Sequence, residues 1–435
     1  MNRKLRKGLK IGGLTVGALV LSMVVTVGGY LVYVIGNYSR IPDDQGLIIF
    51  GLNTQTIKDS DLYDDSIPTS GTTFSASTYN IGFGAYDRAY DFFMDENDYK
   101  PEYVASHGGV AHTIGSHSRA ASADAALHNT EGAVHTIVDL EQDYGKPVDF
   151  ALFQEVDTNS DRSFHVNQLQ NMVNEFATYD YVHAINFHSS YLAYPLNEPI
   201  GKINSGISTF SRYSIESSVR KSFYVTDAFP TKFFDLDRCY SISKIPVGTT
   251  GKYLSIINVH LSAYDATGEI RARQFNELKG TLAAEFSAGN YVLVGGDFNH
   301  DVIYDNPAFA SNGTYINPAA QPEWYDNYEQ QRPEDYWWNY LRLDPTDPDY
   351  DLEGTGMTIA AADNIPTCRD PSIPWQDENN NGILDNFLCT IDGFLVSPNL
   401  EVVRVENIAA GDDADNLGFA YSDHNPAYIE FKLKN

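Results

Sequence analysis

Short apolar runs alternate with segments of helical period along most of the chain. Residues 72–80, rich in Thr and aromatic side chains, predict a β-strand. Over residues 122–144, Leu127, Val134, Ile137 and Val138 fall on one stripe, predicting a helix with Ser122 as its N-cap. Residues 148–155 form an almost unbroken apolar run, the pattern of a strand covered on both faces. Residues 207–210 and 253–261 predict two more strands. Residues 269–286 then predict an amphipathic helix, with Phe275, Leu278, Leu282 and Phe286 on one face. Gly289 and Asn290 end it, and apolar strands follow at 291–297, 390–396 and 427–433. This alternation favours layered sheets covered by helices, in the α/β or α+β class.

Three stretches break the pattern. Arg3, Lys4, Arg6, Lys7 and Lys10 precede an uncharged run over residues 11–36, enough for the ~20 residues that cross a bilayer. The bases favour a cytoplasmic N-terminus, so residues 1–36 form a tail and transmembrane anchor and the remainder lies outside the cell. A cleaved signal peptide, giving a secreted protein, is the competing reading. Residues 27–33 show no small-x-small cleavage site, and the run is long for a signal core. Residues 37–71, with Asp43, Asp44, Asp59, Asp61, Asp64 and Asp65, read as a polar stalk. Residues 301–375, crowded with Pro, Asp, Tyr and Trp, read as an insertion over one edge of a domain spanning 72–435.

The formal net charge is −29 at pH 7, and five of the bases precede the apolar run, so the exterior part is more acidic still. Such a field repels polyanions and argues against a static nucleic-acid binder, while leaving room for a nuclease with a local phosphate clamp. Three cysteines are too few for a disulfide scaffold. Cys368 and Cys389 flank a polar loop and form a candidate disulfide pair, and Cys239 reads as a buried free thiol.

Six motifs end apolar runs in residues able to bind a hard cation, move a proton or donate to an anionic oxygen. They are Thr78-Tyr79-Asn80, Phe153-Gln154-Glu155, Asn258-Val259-His260-Leu261, Gly296-Asp297-Phe298-Asn299, Ile391-Asp392-Gly393-Phe394 and Ser422-Asp423-His424-Asn425-Pro426. Asp297 and Asn299 follow two glycines at a strand end, where a carboxylate takes a proton from water and an amide meets phosphate; an ordinary Asx turn has the same look. Glu155 has the placement of a Mg²⁺ ligand, or of a plain polar strand edge. His424 suits donation to a phosphoryl oxygen with Asp392 holding its tautomer; a capped loop is the bland alternative. His260 reads equally as a satisfied core histidine.

In this order the six resemble the endonuclease/exonuclease/phosphatase superfamily, which includes deoxyribonucleases of the pancreatic type, abasic-site endonucleases, neutral sphingomyelinases and inositol-polyphosphate 5-phosphatases. The resemblance covers residues 72–433, and Ser211-Arg212 follows a run similar to the family's strand segment before a Ser-Arg turn. It implies a four-layer sandwich of two face-to-face β-sheets flanked by helices, here in a membrane-anchored, bacterial-type member. It also implies Mg²⁺ or Mn²⁺ near Glu155, Asp423 and Asn80. Asp297 would activate water, Asn299 would bind phosphate, and His260 and His424 would stabilise charge, with Asp392 orienting His424. The implied substrate is a phosphate ester. Nucleic acid comes first, because the site needs little beyond a phosphate clamp, and a phospholipid or inositol-phosphate head group second. An inactive binding domain of the same fold is the rival class, and no obligate protein partner is expected.

The chain departs from the family in its His-rich stretch (His107, His112, His117) and in the insertion carrying Trp324, Trp337 and Trp338. Separately, Asp377, Asn379, Asn381 and Asp385 place oxygen ligands around Gly382 as in a calcium loop of EF-hand type. Leu388 stands where such a loop has its bidentate glutamate, so a structural Ca²⁺ site here would be a weak one.

Overall fold

The apolar strands are covered on both faces, which is why they are buried along their length and do not alternate. The computed structural model describes residues 3–51, 72–98, 112–226, 228, 237–263, 269–300, 302–303, 310–311, 314–316, 355–375, 383–384, 386–411 and 416–434. One sheet has six strands in the order Leu400–Asn407, Ala427–Leu433, Phe74–Asn80, Phe150–Asp157, Gly201–Ser211 and Asp180–Leu192. The other has seven, ordered Gln45–Gly46, Ser217–Ser222, Cys239–Pro246, Tyr253–His260, Tyr291–Asp297, Asp392–Val396 and Thr358–Ala360.

Side chains of both sheets meet in one core, with Phe74, Phe150, Leu152 and Phe431 facing Leu254, Ile256, Leu293 and Phe394. The helix Glu269–Ser287 covers the outside of the seven-stranded sheet through Phe275, Leu278 and Leu282. The helix Ala123–Val138 covers the six-stranded sheet through Ala133, Val134 and Ile137. Ser122 caps this helix, its side chain accepting the Ala125 N–H at 3.0 Å. The sandwich has four layers, as expected.

Each sheet holds one parallel pair near its centre. Tyr253–His260 runs beside Tyr291–Asp297 with His260 opposite Asp297, and Phe74–Asn80 beside Phe150–Asp157 with Asn80 opposite Gln154. Parallel neighbours end on the same side, so the polar residues that close these four runs collect along one rim.

Two expectations change. Residues 37–51, polar enough for a stalk, lie against the domain. Gln45–Gly46 adds to the edge of Ser217–Ser222, Phe50 bridges to Tyr181, and Arg40 reaches Asp237 at 3.2 Å. Backbone pairing at an open sheet edge accepts polar side chains, which is why composition alone suggests a free tether. The end of the 301–375 stretch also belongs to the sandwich, because Thr358–Ala360 pairs with Asp392–Val396. Trp324, Trp337, Trp338 and the calcium-loop positions Asp377, Asn379, Asn381 and Asp385 lie outside the described residues.

Candidate active site

Gly296 lets Tyr291–Asp297 close up on Tyr253–His260, since a Cβ there would stand 2.1 Å from Val259 O. Asp297 follows, almost fully buried. Its Oδ2 accepts Asn80 Nδ2 at 3.0 Å and Asn299 Nδ2 at 3.2 Å, and its Oδ1 accepts Asn299 N at 2.7 Å. His260 Nε2 lies 3.4 Å from Asp297 Oδ2 and 3.9 Å from Glu155 Oε1. His424 Nε2 lies 3.8 Å from Asp297 Oδ2 and 3.5 Å from Asn80 Nδ2, while its Nδ1 is 2.8 Å from Asp392 Oδ2. Asn80 Nδ2 also reaches Glu155 Oε1 at 3.4 Å. Asp423 sits against the turn after Asn80, where a Cβ on Gly82 would come within 3.1 Å of its Oδ1. All eight residues singled out by the motifs therefore gather at one rim.

The backbone is strained where the site is built. Glu155 (φ 56°), Asn299 (φ 46°) and Phe83 (φ 41°) are left-handed, a conformation that costs a non-glycine residue about 1–3 kcal/mol. At Glu155 the ladder to Gly201–Ser211 shifts register between Phe153 and Val156, a bulge that turns the carboxylate toward the rim. Below it, Gln154 Nε2 donates to Thr78 Oγ1 at 3.0 Å and to Asn258 Oδ1 at 2.8 Å, and Asn258 Nδ2 donates to Ser208 O at 2.9 Å. Gln154 and Asn258 are thus polar ties between the sheets and do not face substrate.

Burial pushes the Glu155 carboxyl up, Arg162 opposes that, and Asp423 adds to it. Asp423 is likewise raised by burial, against the pull of His424 and Arg369. His260 is held well below its ordinary value by burial and by the cations Arg238, His424 and Arg162, so its imidazole is neutral. Its Nδ1 has no hydrogen-bond partner among the described residues, which places the ring proton on Nε2, toward the carboxylates. Burial also opposes charge on His424, but Asp392, Cys368, Asp297 and Asp423 together hold it well above the ordinary range. Asp392 is pushed up by burial, to about 6, against the pull of the His424 cation.

Asp297, Asp392 and His424 offer three ligand atoms within 4.8 Å of one another. Asp392 is committed to His424 Nδ1 and fully buried, which suits holding a ring better than holding a cation. Glu155 and Asp423 are less buried, and both have charge destabilised by burial. Carboxylate oxygens of this kind are hard donors suited to a divalent cation.

A family model described as endonuclease/exonuclease/phosphatase matches residues 77–424, from the strand that ends in Asn80 to His424 itself. The chain belongs to the endonuclease/exonuclease/phosphatase family. It has no match among curated proteins. Among solved structures it is similar to an endonuclease/exonuclease/phosphatase from Beutenbergia cavernae, with 14% identity over 83% of this chain and 72% of that one, TM-score 0.43. It is similar also to a mannosyl-6-phosphatase of Bacteroides thetaiotaomicron (16% identity, 83% and 100% coverage, TM-score 0.41) and to the human nocturnin catalytic domain with bound sulfate (14%, 83% and 94%, 0.41).

Two cations of this family member's site are not legible in the motifs. Arg162 is bidentate to Asp157 at 2.9 and 3.0 Å and stacks 3.8 Å from the Phe83 ring centroid. Arg238 is buried just before the strand Cys239–Pro246. The only sequence signal for either is a basic residue beside a strand in an acidic chain.

Cys368 and Cys389, the candidate disulfide pair, stand directly opposite each other in a short antiparallel pair, their side chains in hydrogen-bond contact with no disulfide drawn between them. Cys239 is the buried thiol expected, its pKa pushed up to about 11 by burial. His112 and His117 meet Glu96 and Glu198 at the surface, at 3.5 and 4.0 Å, and take no part in the site.

Proposed function

We propose that the protein is a membrane-anchored, extracytoplasmic phosphoesterase that uses Mg²⁺ or Mn²⁺ to hydrolyse phosphodiester bonds. The observation that supports this most is the convergence of Asn80 Nδ2, His260 Nε2 and His424 Nε2 on Asp297 Oδ2, at 3.0, 3.4 and 3.8 Å. A metal bound by Glu155 and Asp423 would withdraw charge from the phosphoryl oxygens. Asp297 takes the proton of the attacking water at Oδ2, help that typically contributes about 10²–10⁴-fold. Asp392 accepts the Nδ1–H of His424 and its charge favours the imidazolium, so Nε2 also carries a proton and donates a hydrogen bond to a phosphoryl oxygen as charge develops there. Neutral His260 and the Asn80 and Asn299 amides donate alongside it.

Nucleic acid is the first substrate to test. A phospholipid or inositol-phosphate head group is the second reading, favoured by the long apolar N-terminal helix. An inactive domain of the same fold is disfavoured, since all eight positions keep their chemistry. Full-length protein assayed on plasmid DNA, RNA, sphingomyelin and inositol phosphates should cleave at least one of them, lose activity in EDTA, and regain it with Mg²⁺ or Mn²⁺. Wild-type turnover in EDTA, or in the Asp297→Ala, His424→Ala double variant, would refute the assignment.

A further inference from the structure

We propose that the hairpin joining Asp180–Leu192 to Gly201–Ser211 rests in the head-group layer of the bilayer that holds the chain's own N-terminal helix. The inference depends on the membrane-anchored reading. A hydrocarbon core of about 30 Å takes about 20 helical residues. Counted from Ile11, the first residue after Lys10, these end near Tyr30, and tyrosine favours that boundary. The helix Arg3–Gly36 is continuous through this point.

Tyr30 is where the domain touches the helix. Its hydroxyl donates to Tyr191 O and accepts the Ala193 N–H, both at 3.2 Å. One turn on, Val34 is only 9% exposed, while Tyr33 and Ile35 beside it are open. The hairpin therefore sits at the depth of Tyr30. The linker that follows cannot hold the domain away from the bilayer. Ser39 meets His188 at 3.1 Å, Arg40 meets Asp237, and Asp43 accepts the Ser222 N–H at 2.8 Å.

The tip has the chemistry of an interfacial segment. Leu196 is 85% and Tyr194 61% exposed, and Met94 and Ile114 are open nearby in the chain segment that meets Tyr194 through Phe93, ring centroids 5.6 Å apart. Glu198, the acid of the tip, is turned inward, its carboxylate accepting the Ser118 N–H and hydroxyl. Ring contacts continue from Phe93 through Phe92 and Tyr86 to Phe83, at 5.0, 5.5 and 5.2 Å. Phe83 lies in the strained turn after Asn80, so the rim of the site is braced on the same ridge.

Photocrosslinking tests this on the full chain in phosphatidylcholine vesicles, with benzoylphenylalanine placed singly at Leu196, Tyr33 or Val403. Val403 is exposed on Leu400–Asn407, the opposite edge of the six-stranded sheet. Lipid adducts at 196 and 33 but not at 403 are expected. An adduct at 33 with none at 196, or equal yields at 196 and 403, overturns the docking and leaves the anchor standing. No adduct at 33 overturns the anchored reading and the docking with it.

Discussion

Replacing Asn258 tests whether the two sheets are tied together beneath the site. Its Oδ1 accepts Gln154 Nε2 at 2.8 Å, and its Nδ2 donates to Ser208 O at 2.9 Å and Phe153 O at 3.3 Å, all buried. Gln154 Nε2 keeps Thr78 Oγ1 at 3.0 Å. Asn258→Ala therefore strands one N–H of Gln154 and weakens the partnering of two carbonyls. A buried polar group that loses its partner costs about 1–3 kcal/mol. With one N–H fully stranded and the carbonyls partly so, the expected loss is about 2–4 kcal/mol. Urea unfolding of the detergent-solubilised chain should show a lower midpoint with an unchanged slope. Gln154 adjoins Glu155 and Asn258 stands two residues before His260, so kcat should fall with little change in KM. A loss below about 0.5 kcal/mol, within the range of a neutral surface change, together with wild-type kcat, would refute the tie.

Asp392→Asn should lower kcat by about 10²–10⁴-fold, since an amide no longer supports the charge of a doubly protonated His424. Steady-state kinetics check this, and a change below tenfold would remove Asp392 from the mechanism. Glu155→Ala should raise the Mg²⁺ or Mn²⁺ concentration needed for half-maximal activity, read by metal titration after EDTA treatment; an unchanged requirement would place the ion elsewhere. His183, bonded through Nδ1 to Ser208 Oγ at 2.9 Å, is lowered by burial to about 4. Between its ordinary value and about 4 the unfolded chain binds the extra proton, so stability is lost as pH falls through that window. Melting temperature measured against pH should drop there, and His183→Gln should flatten that limb; identical limbs in the two proteins would contradict the burial argument.

The apolar strand runs, the amphipathic helix at 269–286 and the six polar run-ends are local features, so the sequence carries them openly. Burial on both faces shows as continuous hydrophobicity, and chemistry shows as polar residues where such runs stop. The strands Asp180–Leu192 and Ser217–Ser222 are harder to read, because edge and hairpin positions accept polar side chains. Arg162 and Arg238 are silent for a related reason. A cation acts on Glu155 and His260 through space, and its distance along the chain says nothing about that. Cys368 and Cys389 are placed opposite each other by a ladder that the sequence does not announce. The sequence by itself determined which polar residues close the apolar runs and which family holds them. Only the tertiary structure decided that Gln154 and Asn258 tie the sheets while their neighbours Glu155 and His260 face the rim, and that residues 37–51 lie on the domain. The physical reason is that side-chain direction at a bulge or an edge depends on pairing partners that are distant in sequence.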